Sequence, residues 1–241
     1  MVDGKTGFVR YDLAITKKMH QANILNCTYP VLDPDLDPIL RVEPESAPNF
    51  KDLQDLVERV GRPYKWHLRQ EYNERASVRE ITKELKQPTS KRFSFWSGKK
   101  EVGGAIIANI EPDVGRIFAK AHDEKRPIDL DPSMADRSIE IYKIGLFPEY
   151  TKRGWGRYFL PDLLGKLFDD ASKPEVVYLN TRDSNHSGVI KFYTGFNMNV
   201  IHARSFPNDL ISEEEYQTRK SGMMRPGRKN DGGAPFVPAL A

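Results

Sequence analysis

The sequence predicts an α+β fold in which a mixed, mostly antiparallel central sheet is flanked by helices. Two observations carry this expectation. The strand-like runs KRFSFWSG and EVGGAIIANI, joined by a short Gly and Lys turn at residues 97–100, read as an antiparallel hairpin. Farther along, SIEIYKIGLF, a glycine-bearing turn, an apolar helical stripe, VVYLNT and a short helix near 186–195 form a β-turn-α-β-α unit.

Taken in order, residues 1–38 end in the acidic, proline-containing run LDPDLDP and read as an irregular arm. A short strand follows at 39–42. Asn49 can cap a helix whose apolar positions Phe50, Leu53, Leu56, Val57 and Val60 recur at three- and four-residue spacing, until Gly61 and Pro63 end it. The capping box from Ser77 to Glu80 starts a second helix, with Val78, Ile81 and Leu85 on one face. After the hairpin, residues 111–136 are charged and carry three prolines, and they read either as a functional flap or as a disordered insertion.

The strand at 138–147 leads through the turn into a helix with Phe159, Leu160, Leu163, Leu164, Leu167 and Phe168 on one stripe. MNVIHARSF is the last strand. Beyond Pro207 come a polar helix candidate, SEEEYQTRK, and a tail rich in Gly, Pro and Arg. The expected organisation is therefore an arm at 1–38, one domain at 39–206 with the insertion at 111–136, and an extension at 207–241.

Composition bounds the function. With 39% apolar and 29% charged residues and no apolar run of about 18 residues, the chain reads as a soluble globular protein with no membrane partner. MVDGKTGFVRYD has no basic segment followed by an apolar stretch, so no signal peptide is expected and a cytoplasmic location follows. The single Cys27 excludes an intrachain disulfide and a multi-cysteine zinc site, and no metal is expected. The 37 basic residues nearly balance the 34 acidic ones, a net charge of +3, which argues against a dedicated nucleic-acid binder.

FPEYTKRGWGRYFL carries the strongest chemical signal. Gly154 and Gly156 sit between a strand and an amphipathic helix, with Lys152, Arg153 and Arg157 around them. Glycines let backbone N–H groups turn inward, the helix N-terminus adds positive dipole, and the cations offset charge, which together suit a pyrophosphate. No Gly-Lys-Ser/Thr follows, so this is not a P-loop. The third glycine of a dinucleotide fingerprint is replaced by Phe159.

TKRGWG resembles instead the acyl-CoA loop of the GNAT superfamily of N-acetyltransferases, Gln/Arg-x-x-Gly-x-Gly/Ala, with Thr151 where Gln or Arg is usual. The order of elements from 39 to 205 resembles that superfamily too, in particular bacterial members of unassigned substrate. The resemblance implies a splayed strand pair, with the backbone of Ile144, Gly145 and Leu146 pairing with the pantetheine arm. It also implies acetyl-CoA as cosubstrate, held by Thr151, Lys152, Arg153, Gly154, Trp155, Gly156 and Arg157, with His186 where many relatives have an Asn near the pantetheine.

In the same register Tyr193 takes the place of the tyrosine that protonates the departing thiolate, if Asn197 and Met198 stand in for a Gly-Phe pair. Taking Gly195 and Phe196 as that pair would put Lys191 there instead. Asn suits a left-handed helix terminus. Pro161 calls for a kinked or late-starting helix.

Amide synthesis from a thioester needs a neutral amine and stabilisation of an oxyanion and a thiolate. Glu140 is the candidate base, on the same side of a regular pleat as Tyr142 and Ile144; a salt-bridged strand glutamate is the plainer reading. Tyr193 is the candidate acid, and a backbone N–H near Gly145 or Leu146 would meet the oxyanion. RPYKWHLRQEY, with Tyr64, Trp66 and Arg69, corresponds to the wall of the acceptor pocket, which Tyr142 would complete. The expected function is acetyl transfer to an amine of a small molecule or protein, by direct attack in a ternary complex, with a homodimer allowed for. The alternatives are a non-catalytic acyl-CoA-binding module and, from the basic tail, acetylation of aminoacyl-tRNA.

Overall fold

The computed structural model describes residues 8–24, 38–42, 59–61, 90–109, 114–126, 128–183, 188–206, 212–215 and 217–218. The strands are β1 (Phe8–Thr16), β2 (Pro38–Val42), β3 (Lys91–Ser97), β4 (Lys100–Asn109), β5 (Ser138–Leu146), β6 (Val176–Arg182) and β7 (Asn199–Phe206). Among the described residues the longer helices are α1 (Lys17–Ile24), α2 (Val114–Asp123), α3 (Trp155–Phe168) and α4 (Val189–Thr194). All seven strands join one sheet in the order β2-β3-β4-β5-β6-β1-β7. Every pair is antiparallel except β5 with β6. The mixed, mostly antiparallel sheet flanked by helices is the fold class that the sequence predicts.

β1 corrects the reading of residues 1–38 as an arm. It is an interior strand, paired with β6 from Arg10 to Thr16 and with β7 from Phe8 to Ala14. Leu13, Ala14 and Ile15 are all fully buried, as a strand covered on both faces requires. The signal was hidden because Arg10 and Asp12 break the apolar run. Asp12 is nonetheless 2% exposed, with its carboxylate accepting from the Tyr178 hydroxyl at 2.5 Å.

Residues 111–136 also depart from both expectations. Within them α2 places Val114, Ile117, Phe118 and Ala121 at helical spacing, and all four are buried with Ile128, Leu130, Ala14, Val176, Tyr178 and Ile201. This second core covers one face of the sheet, here termed distal. Asp131 accepts from the Ser133 amide and starts a 3-10 turn over Pro132–Arg137. The segment is thus an amphipathic cover, and the interval between Val114 and Ala121 carried that information.

The opposite, proximal face holds the larger core. Here α3 buries Trp155, Phe159, Leu160, Leu163, Leu164, Leu167 and Phe168 against Leu13, Ile15, Phe95, Ile107, Ile141, Val177 and Leu179. The rings of Trp155, Phe159 and Phe95 form a stack, with centroids 5.5 Å and 4.5 Å apart. α1 closes this side: His20, 4% exposed, lies 5.3 Å from the Phe168 ring, and Lys17 donates to the Phe168 carbonyl at 3.0 Å.

The two helices expected between β2 and β3 lie outside the described residues except for the helical stretch 59–61. In the C-terminal extension residues 213–215, 217 and 218 are helical, within the polar helix expected there. No described helix is long and apolar enough to cross a membrane.

Leu13→Ala and Phe118→Ala should each lower unfolding free energy by about 3–5 kcal/mol in urea titration, since each empties a fully buried site. Losses under about 1 kcal/mol would match a decorative arm and a loose flap instead. A second expectation concerns pH. Burial lowers the pKa of His20 below the ordinary histidine value, against a smaller opposing effect of Asp169. The unfolded chain therefore takes up a proton near pH 6.5 that the folded chain resists, and stability falls as pH drops through and below that value. Denaturation at pH 7.5 and 5.5, as test conditions bracketing about 6.5, should show this decline, and His20→Leu should reduce it.

Candidate active site

β5 and β6 are paired over only three rungs: Ser138 with Val176, Ile139 with Val177 and Glu140 with Tyr178. Beyond them β6 continues beside β1, while β5 continues to Leu146 beside β4 alone. The strands splay, and no described strand pairs with residues 144–146 on the β6 side. A β-bulge at Tyr142 marks the divergence, because Ile107 faces Ile141 and Ile106 faces Lys143. Bulges bend and twist a strand, which re-aims the residues that follow. Two close approaches fix the outer end of β5. A Cβ on Gly103 would meet the Gly145 carbonyl oxygen at 2.3 Å, and a Cβ on Gly145 would meet Val60 at 2.2 Å.

The open edge faces the start of α3. After β5 the chain makes a 3-10 turn at Pro148–Tyr150, in which the Thr151 hydroxyl donates to the Pro148 carbonyl at 2.8 Å. Lys152 and Gly154 take positive φ, 61° and 86°, so the backbone reverses twice before the helix. Gly154 is the N-cap and offers no side chain to the first turn; the Arg157 N–H donates to the Gly154 carbonyl at 2.9 Å, and the N–H groups of Trp155 and Gly156 are the ones left for a ligand. α3 begins directly at Trp155 and runs through Pro161, whose missing N–H leaves the Arg157 carbonyl without its helical partner.

Between edge and turn lies a cleft of about 530 Å³. Its lining includes Ile144, Gly145 and Leu146 of β5, Thr151, Lys152, Gly154, Gly156 and Arg157 of the turn, and Phe192 and Tyr193 of α4. Gly156 matters for space, since a Cβ there would stand 3.1 Å from the Phe192 ring.

α4 settles which residue reaches the cleft. Asn197 is the residue with left-handed φ, 57°, and the Met198 amide donates back to the Tyr193 carbonyl at 3.2 Å; Gly195 has ordinary helical angles. The left-handed terminus therefore falls at Asn197, with Met198 buried beneath it. Tyr193 is buried and Lys191 is exposed.

The distal face beneath the splay is polar. Glu140, 2% exposed, accepts from the Asn180 amide at 2.9 Å. One strand over, the Tyr178 hydroxyl donates to Asp12, and Arg10 reaches both Asp12 Oδ1 (3.1 Å) and the Tyr178 oxygen (3.2 Å). Burial first, then the negative charge of Asp12, raise the Tyr178 pKa far above the usual phenol range. His202, opposite Asp12 in β7, has its pKa lowered by burial and by Lys120.

No protein-family model matches the sequence, and no curated protein matches it. Solved structures do. A tandem GNAT protein from the clavulanic acid biosynthesis pathway aligns with 84% of this chain at a TM-score of 0.51 and 8% identity. A GCN5-related N-acetyltransferase from Sphaerobacter thermophilus aligns with 84% at 0.50 and 13% identity. The chain has the GNAT fold. It spans about half of each of those two proteins, 53% and 51% of their lengths.

Within this GNAT fold, Ile144, Gly145, Leu146, Thr151, Lys152, Gly154, Gly156, Arg157 and Tyr193 come together at one cleft, though they come from one strand's end, the turn after it and two helices. Trp155 does not face it. Its ring is 1% exposed within the proximal core, so only its backbone belongs to the turn. Arg153 is exposed outside the lining. His186, Tyr64, Trp66 and Arg69 lie outside the described residues. The regular pleat expected for Glu140, Tyr142 and Ile144 does not hold. With the bulge between them, Ile141 and Ile144 share the proximal face and Glu140 lies on the distal one. Sequence reading missed Arg10, Asp12, Tyr178 and Asn180, and the alternation of Arg10 and Asp12 in VRYDLAI was the available signal.

Tyr178 gives this geometry a spectroscopic test. Native-state absorbance titration should show no loss of tyrosinate signal up to about pH 11 in Tyr178→Phe, because the wild-type phenol stays protonated there. A component lost on substitution would place Tyr178 outside the buried network.

Proposed function

We propose that the chain binds acetyl-CoA in this cleft and transfers the acetyl group to an amine by direct attack in a ternary complex. The open edge of β5 facing a glycine-capped helix start is the observation that carries the reading. Backbone N–H and C=O groups of residues 144–146 suit the amides of a pantetheine arm, and the N–H groups of Trp155 and Gly156 at the start of α3, with the Lys152 and Arg157 side chains, suit a pyrophosphate. A cleft of about 530 Å³ is of the size small-molecule sites have.

The two faces divide the chemistry. On the proximal side Tyr193 donates a proton to the departing thiolate, and a backbone N–H near Gly145 or Leu146 meets the oxyanion. On the distal side Glu140, at the apex of the splay, takes the proton of the incoming ammonium. The neutral nitrogen then bonds to the acetyl carbon, and as the oxyanion collapses the carbon–sulfur bond breaks, the nitrogen gives its second proton to solvent and Tyr193 regains its own from there. The bulge at Tyr142 supports this division, since it turns Glu140 away from the cofactor cleft and toward the face from which an acceptor can enter.

Thiol release from acetyl-CoA over a panel of amines tests the reading. Tyr193→Phe should lower kcat on the best amine about 100-fold or more while the affinity for CoA stays within about twofold. Glu140→Gln should lower kcat/KM most strongly at low pH, where the amine is fully protonated. Wild-type rates in both variants would remove these assignments. Tight CoA binding with no turnover on any amine would favour the non-catalytic module.

A further inference from the structure

α4 is six residues long, and hydrogen bonds at its C-terminal end fix its place beside the cleft. Tyr193 and Met198 pack into the proximal core, with Val189, Phe192 and Phe196 against it. Apolar burial is non-directional: it holds a short helix down but sets neither its rotation nor its slide along the core. Directional bonds do that. The Tyr193 carbonyl accepts from the Phe196 and Met198 amides, at 3.0 Å and 3.2 Å, in the turn that the left-handed φ of Asn197 makes possible.

That turn is held from outside by α1. The Asn23 side-chain amide donates to the Phe196 carbonyl at 3.0 Å, and its oxygen accepts from the Asn197 side chain. One side chain thus bonds two successive residues of the turn, 173 and 174 positions away along the chain. Asn199 completes the set by donating to the Asn197 carbonyl at 3.0 Å.

α1 is itself fixed at its other end. The Lys17 amide donates to the Glu175 carbonyl at 2.9 Å, and the Lys17 ammonium donates to the Phe168 carbonyl, the last residue of α3, at 3.0 Å. α1 therefore ties the C-terminal end of α3 to that of α4. The two helices meet again at the cleft, where a Cβ on Gly156 would stand 3.1 Å from the Phe192 ring. Tied at one end and in contact at the other, they hold Tyr193 at one place relative to the cradle.

We propose that Asn23 is a positioning residue for Tyr193, acting through the turn at residues 196–198. Asn23 is not among the residues that line the cleft, so its effect reaches the chemistry through α4. Small displacements of a reacting group are costly, because proton transfer needs donor and acceptor within hydrogen-bond reach. The proposal rests on the transfer reading above, and it gives α1 a part in the reaction.

The test uses the full-length protein, acetyl-CoA and the best amine of the panel. Asn23→Leu keeps the size of the side chain and removes both bonds. It should lower kcat about tenfold while the KM for acetyl-CoA stays within about twofold. Asn197→Gly keeps the left-handed turn and removes one bond, so a smaller fall in kcat is expected. The deciding comparison is made in the Tyr193→Phe background. If Asn23 acts through the phenol, Asn23→Leu lowers the rate there by less than about twofold, because the group it positions is already gone. An equal fall in both backgrounds, as general loss of structure would give, overturns the proposal, and so does a wild-type kcat in Asn23→Leu. Should Asn23→Leu fail to fold, Asn197→Gly carries the same comparison. Hydrogen exchange supplies a readout that does not depend on turnover: peptides covering 193–198 should exchange faster in Asn23→Leu while β5 is unchanged, and unaltered exchange there overturns the proposal. Wild-type protein that turns over no amine removes the transfer reading, and the positioning role with it.

Discussion

The parting of β5 from β6 after three rungs is the constraint on which the rest of the molecule depends. A strand interior to a sheet normally pairs on both edges, yet the pairing of β5 with β6 stops at Glu140. What permits this is local. The bulge at Tyr142 redirects the strand, and Gly103 and Gly145 let it run too close to its neighbours for any side chain. The turn after β5 then brings Lys152, Gly154 and the start of α3 beside residues 144–146, so that the strand edge and the helix start face one cleft.

On its other edge β6 keeps β1 as a partner along its whole length, from Val176 to Arg182. This places the N-terminal strand between two strands that follow one another in sequence, and it makes residues 8–16 part of the sheet's interior. Both faces are sealed accordingly, the proximal by α3 and the distal by α2. Near the splay the distal face holds polar groups instead. Asp12, Tyr178 and Glu140 are buried there, Asp12 bonded to Tyr178 and Glu140 to the exposed Asn180, which is how a sheet interior tolerates carboxylates.

Legibility in the sequence followed the range of the interactions involved. The hairpin, the strand-turn-helix run and the left-handed end of α4 at Asn197 were readable because their causes are local: a glycine turn, an apolar stripe, a residue tolerant of positive φ. The cradle was readable for the same reason, although the ring of Trp155 went to the core. β1 was masked, because the two charged residues that alternate in it are explained only by Tyr178, far along the chain. The bulge was not readable. One extra residue at Tyr142 moves Glu140 to the other face, and no feature of SIEIYKIGLF announces it. Residues 111–136 were misread for a different reason, since their prolines and charges outweighed the spacing of Val114, Ile117, Phe118 and Ala121.

The binding mode proposed for the cleft makes a direct demand on backbone amides. Hydrogen exchange of the full chain, followed by mass spectrometry with and without acetyl-CoA, measures it. Protection gained within residues 144–146 and 152–157, with β7 unchanged, is the expected result. Unchanged exchange in both stretches at saturating acetyl-CoA would contradict the assignment of the open edge and the helix start to that ligand.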